Sequence, residues 1–330
     1  MDRHQLEQVA RPLIGGLVIL IVLIVLLGSA VRDPRPHDIA VGIVAPQQMA
    51  DQLTAGFAQN APGAFKFTTY ATDADARTAI DQRDVVASLI VGQTGPTLVV
   101  AGAAGDAIAG GVTAAFTNVF AAQGQTLNVE TVHPFGTGDP HGIILFFTLL
   151  ATLISSVICG ALAVLTDPSR RWTTVVGIVV VYAVAAGIVG ALTASWIASD
   201  YGNAIVGLMA MLALASAAIG LVIAALARLL GVAGVGLGVF FIVLLGLISS
   251  GGPLGSAFLP DVYRAIAPWL PVEPAFSAMR GVLYFDAAGI TTQVLSLTAW
   301  ALIGLVGLWA ASSLRTQTGT RARVASPSPA

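Results

Sequence analysis

Long stretches without charge constrain this chain more than any motif does. Six runs, residues 13–31, 142–165, 173–197, 203–227, 229–250 and 292–314, contain no Asp, Glu, Lys or Arg. About 20 apolar residues carry a helix across a hydrocarbon core, where every backbone polar group must be satisfied within the segment. The rest of the composition agrees: 56% hydrophobic, 10% charged and a mean hydropathy of +0.86. A water-soluble domain carries about a quarter charged residues. The expected fold is therefore a mainly α membrane protein with six transmembrane helices.

Arginines sort the ends of these runs. Arg3 and Arg11 precede the first, Arg170 and Arg171 follow the second, Arg228 separates the fourth and fifth, and Arg315, Arg321 and Arg323 follow the sixth. By the positive-inside rule both termini are cytoplasmic, and residues 32–141 form an extracytoplasmic domain between the first and second spans. The expected location is the cell (inner) membrane, crossed several times. Gly28 and Ala30 could mark a signal-peptidase site, but the first run is longer than a signal core, so an uncleaved anchor is expected.

Residues 32–141 alternate between periods. "DIAVGIV", "FKFTTYA", "VVASLIVG" and "PTLVVAGA" read as strands, and "QQMADQLTAGFAQN", "DADARTAIDQRD" and "GDAIAGGVTAAFTNVFAAQG" as helices, the last leading towards the second span. An α/β domain follows. The expected division is 1–31 (cytoplasmic start and first span), 32–141 (α/β domain), 142–314 (five-helix membrane domain) and 315–330 (a disordered cytoplasmic tail).

Several chemistries are argued against. Lys66, the single lysine, lies in a strand, so there is no phosphate loop of the G-x-x-x-x-G-K-[ST] kind and no ATPase activity of the chain's own. The glycines of 101–111 read as a flexible helix entry. His133, Asp139 and His141 have no common metal-site spacing, and the lone Cys159 excludes an internal disulfide. No cofactor, catalytic constellation or nucleic-acid-binding surface is expected. No ionisable group lies mid-span, which argues against a proton-driven antiporter. Small residues four apart, including Ala183 with Gly187, Ala186 with Gly190, Ser156 with Gly160 and Gly234 with Gly238, allow close helix packing. The glycine-rich fifth span could alternatively line a dimer seam or a substrate path.

Between the fifth and sixth spans, residues 251–291 are too irregular to cross a membrane and too apolar for a solvated loop. Phe258, Val262, Ile266, Trp269 and Leu270 fall on one side of a short helix that starts at Pro260 and is stopped at Pro268. A second run, 276–284, carries Arg280. Both are expected to lie in the outer interface, either capping the bundle or gating a path, with Trp269 and Tyr284 as anchors.

The words "GGPLGSAFLPDVYRAIAPWLPVEPAFSAMRG" and "DARTAIDQRDVVASLIVG", with this order of spans, resemble type-2 ABC exporter permeases, closest to the YhgE/Pip-like branch. The resemblance implies one half of a dimeric exporter of hydrophobic or amphipathic compounds. Its implied partners are the lipid bilayer, a second permease subunit (a homodimer foremost) and a separate ATP-binding subunit. Arg170, Arg171 and Trp172, in the turn "TDPSRRW", are candidate contacts for that subunit; topology alone also accounts for the arginines. This turn lacks the longer acidic coupling helix of many members. The competing reading is a membrane scaffold or receptor whose outer domain binds a partner.

Overall fold

The computed structural model describes residues 3–93 and 95–324. Six helical segments are long and apolar enough to span a membrane, and the chain is a multi-pass, mainly α membrane protein. The first is α1 (Arg3–Val31), followed by a five-stranded α/β domain.

That domain contains β1 (Ile39–Val44), α2 (Gln47–Asn60), β2 (Phe65–Thr69), α3 (Asp73–Asp81), β3 (Ala87–Gly92), β4 (Gly95–Ala101), α4 (Asp106–Ala122) and β5 (Asn128–Val132). The strand order is β2-β1-β3-β4-β5. Parallel neighbours need crossovers, and α2 and α3 supply them for β1–β2 and β1–β3. Leu53 and Phe57 of α2 and Val112 and Phe116 of α4 cover one side of the sheet; Ala79 and Ile80 of α3 cover the other. Thr72 caps α3, its hydroxyl accepting from Asp75 N at 3.1 Å. Strand β5 is absent from the sequence reading, because its residues are largely exposed and Glu130 interrupts any apolar pattern. It pairs parallel to β4, and both Glu130 oxygens accept from Arg77 at 2.7 Å.

Helices α5 (Ile143–Leu165), α6 (Trp172–Ile197) and α7 (Ile205–Leu230) form the bundle with α8 (Val232–Gly238), α9 (Leu245–Ser249) and α12 (Thr291–Val324). Helix α7 is central and is packed against α5, α6 and α12. Small residues set those approaches: a Cβ on Gly160 would lie 2.4 Å from Gly220 O, and one on Gly187 2.4 Å from Met209 O. Ser156 donates to Ser216 Oγ across this seam at 2.8 Å; such bonds contribute about 0.6 kcal/mol each.

Two boundaries differ from expectation. Leu229 and Leu230 complete α7, and the fifth span starts at Val232, because Gly231 turns the chain with φ +64°. The expected disordered tail is helical at its start: α12 continues to Val324, since no proline intervenes before Pro327 and extending an existing helix is cheap. Residues 325–330 lie outside the described residues.

Candidate functional site

The segment 251–291 does not lie on the surface as one unit. It folds into α10 (Asp261–Ile266) and α11 (Val272–Tyr284), joined by a short 3₁₀ turn. Pro260 stands immediately before α10. The expected common face is divided: Val262 and Trp269 point outward, 71% and 77% exposed, and Pro268 is exposed too. Phe258 is half-buried against the α/β core, Ile266 packs near α1, and Leu270 lies beside Gly246. The inward residues of α10 are Leu259, just before it, and Tyr263, one position out of phase with the expected stripe. Tyr263 Oη donates to Leu26 O at 3.0 Å and meets Ser29 Oγ at 2.7 Å, fastening α10 to α1.

Helix α11 is largely buried in protein. Pro274 sits in its first turn, where a missing N–H costs nothing. Val272, Ala275, Phe276 and Met279 join the bundle core with Leu208 and Leu212. The residues Glu273, Ser277, Arg280 and Tyr284, spaced four, three and four apart, make a polar stripe on one helix face. The domain meets this stripe. Arg83, after α3, donates from Nη2 to Ser277 Oγ at 2.9 Å. In the other direction Arg280 donates from Nη1 to Ala104 O at 2.6 Å. His133 Nδ1 pairs with Tyr284 O at 2.8 Å and its Nε2 with Asp81 Oδ1 at 2.7 Å, while the ring stacks on Phe285.

Two glycines make the crossing possible. A Cβ on Gly281 would lie 2.6 Å from Arg83 Nη1, and one on Gly105 3.3 Å from Arg280 Nη1. The glycines of 101–111 thus admit an arginine at the helix entry. Each guanidinium also lies over a ring, Arg280 at 4.8 Å from Phe276 and Arg83 at 5.3 Å from Phe285.

Electrostatically the junction is strained. Glu273 and Arg280 keep some accessible surface, although protein surrounds them as in an interior. Burial pushes the Glu273 carboxyl up, against the pull of Arg280 and Arg83. Burial presses Arg280 down to about 10, still a cation at neutral pH, and lowers Arg83, with Glu273 opposing. Among the described residues neither arginine reaches Glu273 within 4.0 Å, and Arg83 Nη1 and Arg280 Nε are buried without hydrogen-bond partners.

The remaining candidates are placed separately. Asp139 caps α5, accepting from Ile143 N at 2.9 Å and Leu145 N at 3.1 Å and from the Tyr201 hydroxyl; His141 faces Asp106, so His133, Asp139 and His141 do not converge. Gly234 and Gly238 pack on Leu226 and Ile223 of α7, and Gly190 on Leu212, all within the chain. Arg170 bonds Ala163 O and Thr166 Oγ1, leaving Arg171 as the exposed cation of the turn, beside half-buried Trp172. A groove of about 520 Å³ runs along α5 and α6, lined by Ile144, Phe147, Thr148, Thr152, Tyr182 and Gly190 among others. Sequence reasoning missed Arg83 and Glu273; the stripe 273–277–280–284 was the available signal.

These features define a class: a multi-pass membrane protein whose α/β domain is interlocked with its helical bundle through a buried polar junction. No protein-family model, curated protein or solved structure matches the chain.

Proposed function

We propose that this chain is the membrane subunit of an exporter of hydrophobic or amphipathic compounds, similar to the YhgE/Pip-like permeases. It works as a dimer in the cell membrane with a separate ATPase. The α/β domain lies outside and the arginine-bearing span ends lie in the cytoplasm. One observation carries the reading: the α5–α6 groove combines apolar walls with the hydroxyls of Thr148, Thr152, Ser155, Tyr182 and Thr193. Thr148, Thr152 and Ser155 donate their hydrogens to helix carbonyls, so their oxygens can serve only as acceptors for a ligand. An amphipathic molecule needs both kinds of surface. The interlocked junction supports the reading further, since a rigid connection transmits movement of the bundle to the outer domain.

The test is efflux of a fluorescent amphiphile, normalised to folded protein in the membrane. Ala186→Trp places a large ring in the groove and is expected to reduce efflux at least tenfold with unchanged abundance. Unchanged efflux per folded molecule sinks the reading. Capture of an ATPase in mild detergent tests the coupling separately.

A second reading, a receptor or scaffold, is favoured by a different cavity. About 630 Å³ lies between α2 and α4, with Leu53, Phe57 and Phe120 as apolar walls and Gln52, Asn60 and Gln123 among the polar ones. Absence of efflux, with a ligand retained by the α/β domain, would select it.

A further inference from the structure

Helices α2 and α4 lie on the same side of the sheet and leave a cavity of about 630 Å³ between them. Small residues open it, Gly56 and Ala61 on one side and Ala115 and Ala122 on the other. A Cβ added to Gly56 would meet nothing within 4 Å, and the backbone there is helical, so neither packing nor conformation requires a glycine. Glycine inside a helix is destabilising relative to alanine; what it provides here is room. The floor is fixed. Leu53, Phe57 and Phe120 belong to the domain core, and the Phe57 ring packs 5.0 Å from Phe65 and 4.8 Å from Phe116. Such a floor is formed before any ligand arrives, and the volume falls within the range of small-molecule sites, about 300–1,000 Å³. The cavity is separate from the polar junction. Helix α4 enters beside Arg280 at Gly105, and Asn118 lies about 20 Å further along it at 1.5 Å per residue.

The rim identifies the chemistry of the ligand. Gln52, Asn60, Asn118 and Gln123 bring four carboxamides to it, and no described residue lining the cavity is charged. A carboxamide offers a donor and an acceptor without net charge. Asn60 donates one N–H to Gly56 O at 2.8 Å and keeps its oxygen as an acceptor. The side chains of Gln52, Asn118 and Gln123 make no hydrogen bond among the described residues. An ionic head would lose water here and gain no counter-charge. A neutral head that both donates and accepts exchanges its water for the amides. We propose that this cavity binds an uncharged, single-chain amphiphile with a hydroxyl-bearing head. Its hydrocarbon lies on Leu53, Phe57 and Phe120, its head lies among the carboxamides, and exposed Met49 supplies a flexible apolar edge. The volume suits one chain and a small head, not a two-tailed lipid. The inference rests on the cavity that favours the receptor reading and names its ligand class.

The experiment is photo-crosslinking of the full chain in lipid nanodiscs, free of detergent. The probes are monodecanoylglycerol, decanoate and decyltrimethylammonium, each with a diazirine in its chain, and labelled peptides are mapped by mass spectrometry. Monodecanoylglycerol is expected to label peptides of α2 and α4, saturably and in preference to both ions. Gly56→Trp should reduce that labelling at least tenfold, while Gly56→Ala, whose Cβ has space, should keep most of it. Asn118→Leu should weaken binding about fivefold, the loss of one net hydrogen bond. Unfolding temperature reports whether each variant is folded, and Asn118→Leu decides the matter if Gly56→Trp is not. Labelling that does not saturate, or that neither Gly56→Trp nor Asn118→Leu reduces, overturns the site in favour of partition into the bilayer. Equal saturable labelling by decanoate or decyltrimethylammonium overturns the uncharged class. All these results concern binding alone; the receptor reading itself falls on a different measurement, the finding of efflux.

Discussion

Helices α10 and α11 are neighbours in the chain, both too short to span and both apolar, yet they take opposite places. Val262 of α10 and Trp269 just beyond it are mostly exposed, whereas Val272 and Met279 of α11 are fully buried. The difference lies on their polar sides. The polar residues of α11 fall on one stripe, and Arg83, Ala104 and His133 of the α/β domain receive that side of the helix. Protein can therefore cover both of its faces. Helix α10 is tied to α1 mainly through Tyr263, while its Arg264 pairs with Asp38 and Asp261 at a partly exposed edge. Apolarity alone does not decide between lipid and protein as the neighbour; a matched set of polar partners does.

This contrast breaks hardest at Met279. Met279→Ala should cost roughly 2–5 kcal/mol, as buried large-to-small changes do, against about 0.5 kcal/mol or less for Val262→Ala or Trp269→Ala at exposed positions. Thermal unfolding in detergent, beside membrane abundance, measures both. Equal losses would mean that α11 is no more a core element than α10.

The next largest effect belongs to the crossing arginines. Arg280→Ala leaves the Ala104 carbonyl without its donor and removes a positive neighbour from Glu273, a loss of about 1–3 kcal/mol. Hydrogen exchange and limited proteolysis should show the domain–bundle junction opening around Gly105. Arg264→Ala on α10 removes ion pairs with exposed carboxylates and should cost no more than about 1 kcal/mol. If the two variants behave alike, the buried junction holds the domain no better than the exposed edge.

The smallest effect is a slope. Glu273 has its folded pKa raised by burial, so its proton is held more tightly in the folded chain than in the unfolded one. That contribution to stability is fully present below the ordinary glutamate pKa and is lost as pH rises through the raised value. Glu273→Gln should flatten this part of the unfolding-temperature profile. The same slope in variant and wild type would show that another group titrates.

The spans were legible because charge is excluded from them, a constraint written in every residue of a run. The first four strands of the sheet were legible through period two and their turn residues. Strand β5 was not: the Arg77–Glu130 pair that secures it joins residues 53 positions apart. The polar junction was missed for the same reason. Ser277 and Arg83 are separated by 194 positions, and no local pattern announces which distant side chain will meet a helix.

What the sequence determined by itself is thus the membrane class, the number of spans, most of the α/β elements and the end at which basic residues gather. These follow from local properties, hydropathy over about 20 residues and the two backbone periods. Tertiary structure decided which face of α10 turns inward, that α11 is buried between domain and bundle, and that Arg83 and Arg280 cross that boundary in opposite directions. It also decided that Arg170 is occupied by the Ala163 carbonyl and the Thr166 hydroxyl while Arg171 stays exposed. Each of these depends on what lies opposite a side chain in space, and the chain sets that only when distant segments pack.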